Sequence, residues 1–467
     1  MDDFAVVGSG IGGACSALFL SKKYQTTLYE KEPSLGGCSS TFKHQKAFYN
    51  TGATTFAGYE KNTYMYDFFG RHHIDFQKKL LPCALSVLID GKKIVRYQAM
   101  DAFLDEINGV FYHSKNKDFY ALVQKINKDF FAINDYYYSN ASMFAKVKSL
   151  TSFKTLLAKF YPYLFINAKS FIKNHFGNID EKYLDYLDNQ LLIVAQARLH
   201  EVNFLTASLA LSYQFMDNYY IFGGMGSIFD AISKKLPQVK THSFIEKITK
   251  TPSHFILHTS KTEFEAKNIV LNASLFDAKS LFTDTKTKAY LSHYASLNKD
   301  ISAFMVYLIV DSPKVFDHHY QIILDKPIPY TTSNSLFVSF GDKDDEKMKQ
   351  SVTISVHTQT RLWENDHNLE QKMELEDIIK KIICEHLGLD KRAIVSSFSA
   401  TPQTFKRFIN RSTLGGIPMR QENLVYRLPA NDSPIKGLYH VGDTTFAAQG
   451  WIGVMLGVRN LEKILCN

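Results

Sequence analysis

The chain has 467 residues, of which 45% are hydrophobic and 21% are charged. This composition predicts a globular protein of two or three domains, and no run of 18 apolar residues offers a membrane span. The net charge of +8 suits an anionic partner, but the sequence has no compact basic motif or zinc-ligand spacing, which argues against nucleic acid and against a metal site.

Two features of the sequence predict a cytoplasmic location. The first apolar strand begins at residue 4, which leaves no room for a signal peptide. The five cysteines are scattered and include no CxxC pair, as is typical of reduced thiols. We therefore expect a cytoplasmic protein, and contact with the inner face of the membrane stays open.

Residues 4–30 are predicted to form a strand, a glycine turn, a helix and a second strand. The turn has the pattern GxGxxG, with Gly8, Gly10 and Gly13. Gly8 allows the tight turn, Gly10 lets the backbone approach a diphosphate, and Gly13 permits close packing of helix on strand. The helix that begins near Ile11 directs its unpaired N–H groups toward the same diphosphate.

Glu30 ends the second predicted strand, about 20 residues after the glycine turn, where dinucleotide-binding domains carry an acid. Its carboxylate can accept hydrogen bonds from the ribose hydroxyls of an adenosine. The same carboxylate would repel a 2′-phosphate. The pattern therefore favours NAD or FAD over NADP.

A flexible loop rich in hydroxyl groups follows the second strand. It carries Gly36, Gly37, Cys38, Ser39 and Ser40. This loop suits contacts with phosphate or ribityl oxygens, and an ordinary glycine turn is the alternative interpretation. Gly52, which precedes Ala53 and Thr54, marks another place where the backbone can approach a ligand.

The order of these motifs resembles the FAD-dependent family of phytoene desaturases, carotenoid cis–trans isomerases and retinol saturases. The series is GxGxxG, an acidic strand end, GGxSSxF and FxxxGA. The flavin amine oxidases are more distantly similar. They usually carry Arg directly after the glycine pair, where this chain has Cys38. That departure favours the first family, and the extra glycine loops at both ends of the chain favour FAD over NAD.

The region from residue 92 to 220 is predicted to be largely helical. Apolar residues recur at helical spacing in 95–105 and 117–134, and residues 153–176 are dense in Phe, Tyr, Leu and Lys. Such an amphipathic stretch could lie on a membrane and admit a lipophilic substrate. A helical cap that packs on its own core is the alternative. In the related desaturases a helical region here faces the membrane, so the resemblance supports the first interpretation.

Three further segments match the order of the family. Residues 219–232 contain a glycine cluster that opens a helix, and the resemblance implies that it returns the chain to the flavin. Residues 239–248 are predicted as a strand pair, whose counterpart in the family lays the backbone around Ile245 against the adenine. The apolar strand predicted in 266–274 ends in small residues, including Ala273, as expected beside a cofactor.

Strands predicted at 301–310, 335–340 and 352–358 and a helix at 369–387 suggest a second sheet above a binding cavity. Trp363 is expected to pack in the core. Residues 400–416 resemble the family's TPxT…R stretch. Within it, Arg407 and Arg411 could serve substrate or flavin, but we expect surface cations.

The C-terminal segment 437–465 is predicted as a strand, a tight turn at Gly442 and Asp443, and a helix from Gly450. Asp443 can reach the ribityl chain or the diphosphate. The N-terminus of the helix directs its positive dipole toward the flavin N1–C2=O region. In the family this GD…QGxxGV segment closes the FAD site, and here it is most similar to the carotenoid isomerase branch.

The predicted fold class is α/β. A Rossmann-type FAD-binding domain is expected from residues 1–90, 219–300 and 400–467, with a discontinuous substrate domain of helices and mixed sheet from 91–218 and 301–399. The cofactor contacts implied by motif and resemblance are Gly8, Gly10, Ile11, Gly12, Gly13, Glu30, Lys31, Gly36, Gly37, Ser39, Ser40, Gly52, Ala53, Thr54, Ile245, Ala273, Gly442, Asp443, Gly450, Trp451 and Ile452.

The predicted function is an FAD-dependent oxidoreductase acting on C–C or C=C bonds of a lipophilic polyene or isoprenoid, by desaturation, saturation or cis–trans isomerisation. No catalytic side chain and no electron acceptor follow from the sequence. Two alternatives stay open. One is an amine oxidase-like enzyme with a small polar-mouthed cavity. The other is a non-enzymatic prenyl-binding protein of the GDP-dissociation-inhibitor type, against which Glu30 and the QGWIG segment argue.

Overall fold

The structure is a computed structural model of the whole chain. It describes residues 1–133, 137–343, 349–364, 368–411, 413–423, 427–447 and 449–466. The end of the helix predicted at 117–134, Asn134, therefore lies outside the described residues.

The strands of the described residues are β1 Asp2–Val7, β2 Thr26–Tyr29, β3 Thr41–His44, β4 Ala47–Asn50, β5 Phe56–Ala57, β6 Lys78–Leu80, β7 Cys83–Ile89, β8 Lys92–Tyr97, β9 Asn218–Ile221, β10 Val239–Lys240, β11 Lys247–Lys250, β12 Phe255–His258, β13 Glu263–Leu271, β14 Ser302–Asp311, β15 His319–Ile323, β16 Ser335–Lys343, β17 Lys349–Thr358, β18 Ile394–Ala400 and β19 Leu438–His440.

The α-helices of the described residues are α1 Ile11–Leu20, α2 Tyr64–Arg71, α3 Met100–Val110, α4 Asn116–Phe131, α5 Met143–Ser152, α6 Lys154–Leu164, α7 Ala168–Phe176, α8 Glu181–Ala195, α9 Phe204–Leu211, α10 Gly226–Ser233, α11 Leu275–Ala278, α12 Thr285–Ser292, α13 Asn368–Leu387, α14 Pro402–Ile409 and α15 Gly450–Cys466.

The first sheet joins the two ends of the chain. Its order is β10-β2-β1-β13-β12-β11, and β19 pairs with β13. Strands β2, β1, β13 and β19 run parallel, so their carboxyl ends lie at one edge of the sheet. Strand β2 is buried throughout, as expected for a parallel sheet that is covered on both faces. Helices α1 and α15 pack together on one of these faces.

A close contact between Gly13 and Gly8 brings α1 against this sheet. A Cβ atom built on Gly13 would lie 1.9 Å from the carbonyl oxygen of Gly8. No side chain fits at that separation. The approach of α1 to the turn after β1 therefore depends on glycine at this position.

The second sheet has the order β18-β14-β17-β16-β15-β7-β8. One face packs on α13 through a core that includes Phe304 and Ile379. Trp363 belongs to this core: its ring stacks on Phe304 at 5.0 Å and its Nε1 donates to Thr358 Oγ1 at 2.9 Å. Trp363 thus packs in the core, as predicted. The opposite face, which includes Met305, lies toward the edge of the first sheet where the carboxyl ends of its parallel strands meet.

Two predicted elements differ from the structure. The helix predicted at 95–105 begins only at Met100, because residues up to Tyr97 pair with β7 as strand β8. The strand pair predicted at 239–248 is interrupted: β10 ends at Lys240 and β11 begins at Lys247, so Ile245 lies in the connection. Strand β8 forms a hairpin with β7, the strand directly before it, whereas β10 pairs with β2, far back in the chain. The domain boundaries given above stay predictions.

Helices α3, α4 and α6 to α9 surround the largest hydrophobic core of the described residues, whose members include Phe119, Tyr183 and Phe204. Within the part of the chain that the structure describes, no helix is both long enough and apolar enough to span a membrane.

Gly13→Ala should lower the free energy of unfolding by at least about 2 kcal/mol, because the added methyl group meets backbone rather than a movable side chain. Urea unfolding followed by circular dichroism measures the change. Gly70→Ala in α2 is the matched control, since a Cβ there meets nothing within 4 Å. Its change should stay within about 1 kcal/mol. Equal stability of the two variants would contradict the proposed role of Gly13.

Candidate functional site

A cavity of about 440 Å³ lies at the carboxyl edge of the first sheet. It extends from the glycine turn after β1 to the inner face of the second sheet. Most of the predicted contact residues line it: Gly8, Gly10, Ile11, Gly12, Glu30, Lys31, Gly36, Gly37, Ser39, Gly52, Ala53, Ile245, Ala273, Gly442, Asp443, Gly450 and Trp451.

Four of the predicted contact residues are absent from the described lining of this cavity: Gly13, Ser40, Thr54 and Ile452. Gly13 packs under Gly8, and Ile452 packs against Gly58. Ser40 Oγ lies 2.7 Å from Thr51 Oγ1. Thr54 Oγ1 accepts a hydrogen bond from Ser339 Oγ, and Thr54 lines a separate cavity of about 520 Å³. Contacts with neighbouring protein groups therefore account for the positions of these residues.

The glycine turn presents a helix N-terminus to the cavity. Gly8 has a φ of +92° and Gly10 is the N-cap of α1. No described side chain caps this helix end. A Cβ on Gly10 would lie 2.8 Å from Nδ2 of Asn272, so the backbone here is held close to its surroundings. Unpaired amides and a positive helix dipole at one place favour a bound anion such as a diphosphate.

Glu30 is held at the cavity wall by the same turn. One carboxylate oxygen accepts hydrogen bonds from the amide and the hydroxyl of Ser9, at 2.9 and 2.5 Å. The other accepts from the amide of Glu32 at 2.9 Å. These contacts orient the carboxylate and leave lone pairs for further donors, such as ribose hydroxyls.

The prediction that Arg411 is a surface cation is wrong. Arg407 is exposed, but the Arg411 side chain is only 14% exposed and lines the cavity. Its Nη2 donates to Asp443 Oδ2 at 3.0 Å. The reason is the chain direction: α14 ends at Ile409, and the C-cap residue Asn410 has a left-handed conformation that turns the following residue inward. Burial alone would lower the pKa of Arg411, but the Asp443 carboxylate outweighs it and the pKa is raised.

Several lining residues escaped the sequence analysis. Asn272 and Asp277 follow β13, and the small residues after that strand were the only local signal. Val194, Met305 and Ser355 come from α8 and the second sheet. No motif marks them, because distant parts of the chain bring them to the cavity.

The residues present fit a dinucleotide such as FAD. The glycine turn and α1 can hold a diphosphate, Glu30 can hold an adenosine ribose, and α15 begins at the cavity with Gly450. Two buried polar atoms at the cavity, Nε of Arg411 and Oδ2 of Asp277, have no hydrogen-bond partner among the described residues. A polar ligand would satisfy such atoms. Across the described residues, no cluster of His, Cys, Asp or Glu could hold a metal.

Comparison with known proteins also indicates a dinucleotide-binding domain. Residues 6–71 match the family model of the NAD(P)-binding Rossmann-like domain. The sequence is 24% identical to the chloroplastic prolycopene isomerase 1 of an Oncidium hybrid cultivar, over 97% of this chain and 81% of that protein. The resemblance inferred from the motifs is confirmed. This protein is similar to the carotenoid isomerases, and the predicted FAD cofactor and oxidoreductase class are confirmed with it.

Solved structures confirm the α/β fold. A putrescine oxidase aligns with a TM-score of 0.68 and 12% identity, over 100% of this chain and 99% of the oxidase. A CLA-producing fatty acid isomerase from P. acnes aligns with a TM-score of 0.60 and 13% identity, over 99% and 98% of the two chains. At these identities the likeness concerns the fold alone.

His440, in β19 beside the Gly442 turn, should make the protein sensitive to acid. Burial lowers the pKa of His440 from 6.5 to about 3, and its ring stacks on Tyr290. The folded state therefore keeps the imidazole neutral while the unfolded chain takes up a proton, so stability is lost as the pH falls below 6.5 toward 3.

His440→Phe keeps a stacked ring and removes the titration. At pH 5 this variant should lose about 2 kcal/mol less unfolding free energy than the parent, relative to pH 7. Urea unfolding at both pH values measures the difference. His293→Phe, at an exposed position, should follow the parent. Parallel pH profiles for His440→Phe and the parent would contradict the assignment.

Proposed function

We propose that the protein uses FAD to isomerise a C=C bond of a lipophilic polyene or isoprenoid, with desaturation or saturation of the same class of substrate as the alternative outcomes. The observation that carries the proposal is the similarity to prolycopene isomerases over 97% of the chain. The fatty acid isomerase with the same fold also acts, by its name, on a lipid. The amine oxidase and prenyl-binding alternatives have no comparable support.

The cofactor would be held by the residues that line the cavity. The amides at the start of α1 would bind the diphosphate, Glu30 the adenosine ribose, and the connection around Ile245 the adenine. Asp443 and the start of α15 would face the flavin half. When bound, the flavin supplies reversible electron exchange with the substrate. The side chains supply position and exclude water.

The substrate would approach from the second sheet and α8. The cavity wall there is formed by apolar side chains, among them Ile193, Val194, Met305 and Leu414. Such a wall suits a hydrocarbon chain and keeps water away from the reacting bond. A polyene would need a long apolar tunnel that ends at the flavin.

Glu30→Ala tests the assignment. The purified parent protein should show flavin absorbance and convert prolycopene to an isomer of the same mass. The reaction is run under reducing and under oxidising conditions, and chromatography detects the product. Glu30→Ala should weaken FAD binding about tenfold or more, because hydrogen bonds to a charged acceptor are lost. Glu32→Ala, a neighbouring carboxylate paired with Lys31, is the matched control and should bind FAD like the parent. A parent protein that cannot be loaded with FAD would refute the proposal.

We also propose that the helical region contacts a membrane surface. An exposed apolar face, here called the α5–α6 face, is formed by helices α5 and α6 and by Phe165, the residue directly after α6. Its members are Met143, Phe144, Val147, Leu150, Leu157, Tyr161 and Phe165, and Phe144 is 80% exposed. Isolated exposed apolar residues are common, but a cluster on neighbouring helices indicates an interaction site.

The charge around this face favours an anionic lipid surface as the partner. Residues 137–179 contain no Asp or Glu, and six lysines lie among them. Each lysine near an anionic membrane contributes about 1 kcal/mol of attraction. A lipophilic substrate dissolved in a membrane would reach the enzyme most directly through such a surface.

Sedimentation with vesicles tests this surface. The parent should bind vesicles that contain phosphatidylglycerol more tightly than vesicles of phosphatidylcholine alone. Phe144→Ser combined with Leu150→Ser should weaken binding at least about tenfold, since apolar side chains are lost from the contact. The matched control is Leu369→Ser combined with Met373→Ser on α13, where the exposed apolar residues lie among acidic ones. Equal loss in both variants would contradict the assignment to the α5–α6 face.

A further inference from the structure

Arg411 approaches the cofactor cavity from a part of the chain far from the glycine loops. Cys38, the residue directly after the Gly36-Gly37 pair, lies at the same cavity. Burial raises the pKa of the Cys38 thiol, and the charge of the Arg411 guanidinium opposes that shift. Both residues line the cavity. Thus the position that carries Arg in amine oxidases holds a neutral residue here, and an arginine reaches the same cavity from residue 411.

Two contacts join segments near Arg411 to the glycine turn. On one side, a Cβ on Gly37 would lie 3.7 Å from Cα of Gly10. On the other side, Arg411 is bonded to Asp443, and a Cβ on Gly12 would lie 3.0 Å from the amide of the adjoining Gly442. The segments that carry Cys38 and Asp443 therefore touch the first turn of α1, which is the anion-binding end of that helix.

The charges at the cavity call for a cation at this point. The acidic side chains that line it among the described residues are Glu30, Asp277 and Asp443. The described lining cations are Lys31 and Arg411, and Lys31 pairs with Glu32 at the more exposed rim. A diphosphate adds two further negative charges. Without Arg411 the buried part of the cavity would repel the diphosphate.

The guanidinium also has an unused donor. Nη2 binds Asp443, but Nε is buried and has no partner among the described residues. A buried N–H of a charged group is costly when it is left unpaired. The planar guanidinium fork matches the oxygens of carboxylates and phosphates, and a diphosphate supplies such oxygens.

We propose that Arg411 donates hydrogen bonds to the diphosphate of the bound dinucleotide and so supplies, from the C-terminal half of the chain, the cation that amine oxidases carry after the glycine pair. Arg411 is then a cofactor-binding residue, and its ion pair with Asp443 sets its orientation. The inference rests on the proposed binding of FAD in this cavity.

Arg411→Gln, Arg411→Lys and Arg407→Gln test the inference by nucleotide binding to the apoprotein. Arg407→Gln is the matched control, because that arginine is exposed on the same segment. Arg411→Gln should weaken binding of both FAD and ADP about 10- to 100-fold, since ADP carries the same diphosphate. Arg411→Lys should recover part of the loss, and Arg407→Gln should change neither affinity. A loss for FAD without a loss for ADP would overturn the inference.

A double variant separates the diphosphate contact from simple neutralisation of Asp443. Arg411→Gln combined with Asp443→Asn removes both charges of the pair, so no buried carboxylate is left unpaired. If Arg411 binds the diphosphate, the double variant stays weak for ADP. If Arg411 only neutralises Asp443, the affinity for ADP returns to the parent value and the inference fails. Thermal unfolding of each apoprotein verifies that the variants are folded.

The outcome also distinguishes this inference from the proposed function. A parent protein that binds neither FAD nor ADP would refute FAD binding itself. A parent protein that binds both, with Arg411→Gln unchanged, would refute only the role of Arg411. In the Arg411→Gln background, Cys38→Arg places an arginine at the position that carries it in amine oxidases. This change should restore at least part of the affinity for FAD and ADP.

Discussion

The parallel pairing of β1, β13 and β19 is the constraint on which the site depends. These strands come from the beginning, the middle and the end of the chain, yet their carboxyl ends share one edge. The turn that follows β1 and the turn that follows β19 therefore lie side by side. Helices α1 and α15 begin at this edge and pack on each other. A ligand placed here meets two helix N-termini and two turns, which no single segment could provide.

Close backbone contact is what makes this edge compact. Gly13 sits against the carbonyl of Gly8, and Gly12 sits against Gly442. A larger residue at either place would push α1 away from the sheet or from the C-terminal turn. The glycines thus act on the geometry between elements as well as on the conformation of their own turn. This explains why a residue such as Gly13 matters to the site although it is not part of the described cavity lining.

The charged groups at the edge follow the same logic. Glu30 is oriented by Ser9 and Glu32, so its carboxylate is held before any ligand binds. Arg411 and Asp443 form a partly buried ion pair that brings the end of α14 to the cavity. Charges that are withdrawn from water are costly unless they are paired and hydrogen-bonded. Their presence at a cavity, with a donor left over, indicates a site built for a charged ligand.

Local sequence motifs predicted the parts of the site that depend on the backbone conformation of a few neighbouring residues. The GxGxxG turn, Glu30, and the Gly442–Asp443 turn were predictable because each needs a particular residue at a fixed distance from a strand or helix end. The order of these motifs also carried the family resemblance and the FAD cofactor.

What the tertiary structure decided is the environment of residues that belong to no motif. From the sequence, Arg411 is expected to be a surface cation. The neighbouring residues give no sign that the chain turns inward after Asn410 and brings Arg411 to Asp443. The end of β10 before Ile245 depends on the pairing of that strand with β2, which lies far back in the chain. The sequence by itself determined the cofactor-binding turns, because glycine and carboxylate chemistry is local. Only the folded chain determined which cation faces the cavity, because burial and pairing are properties of distant neighbours.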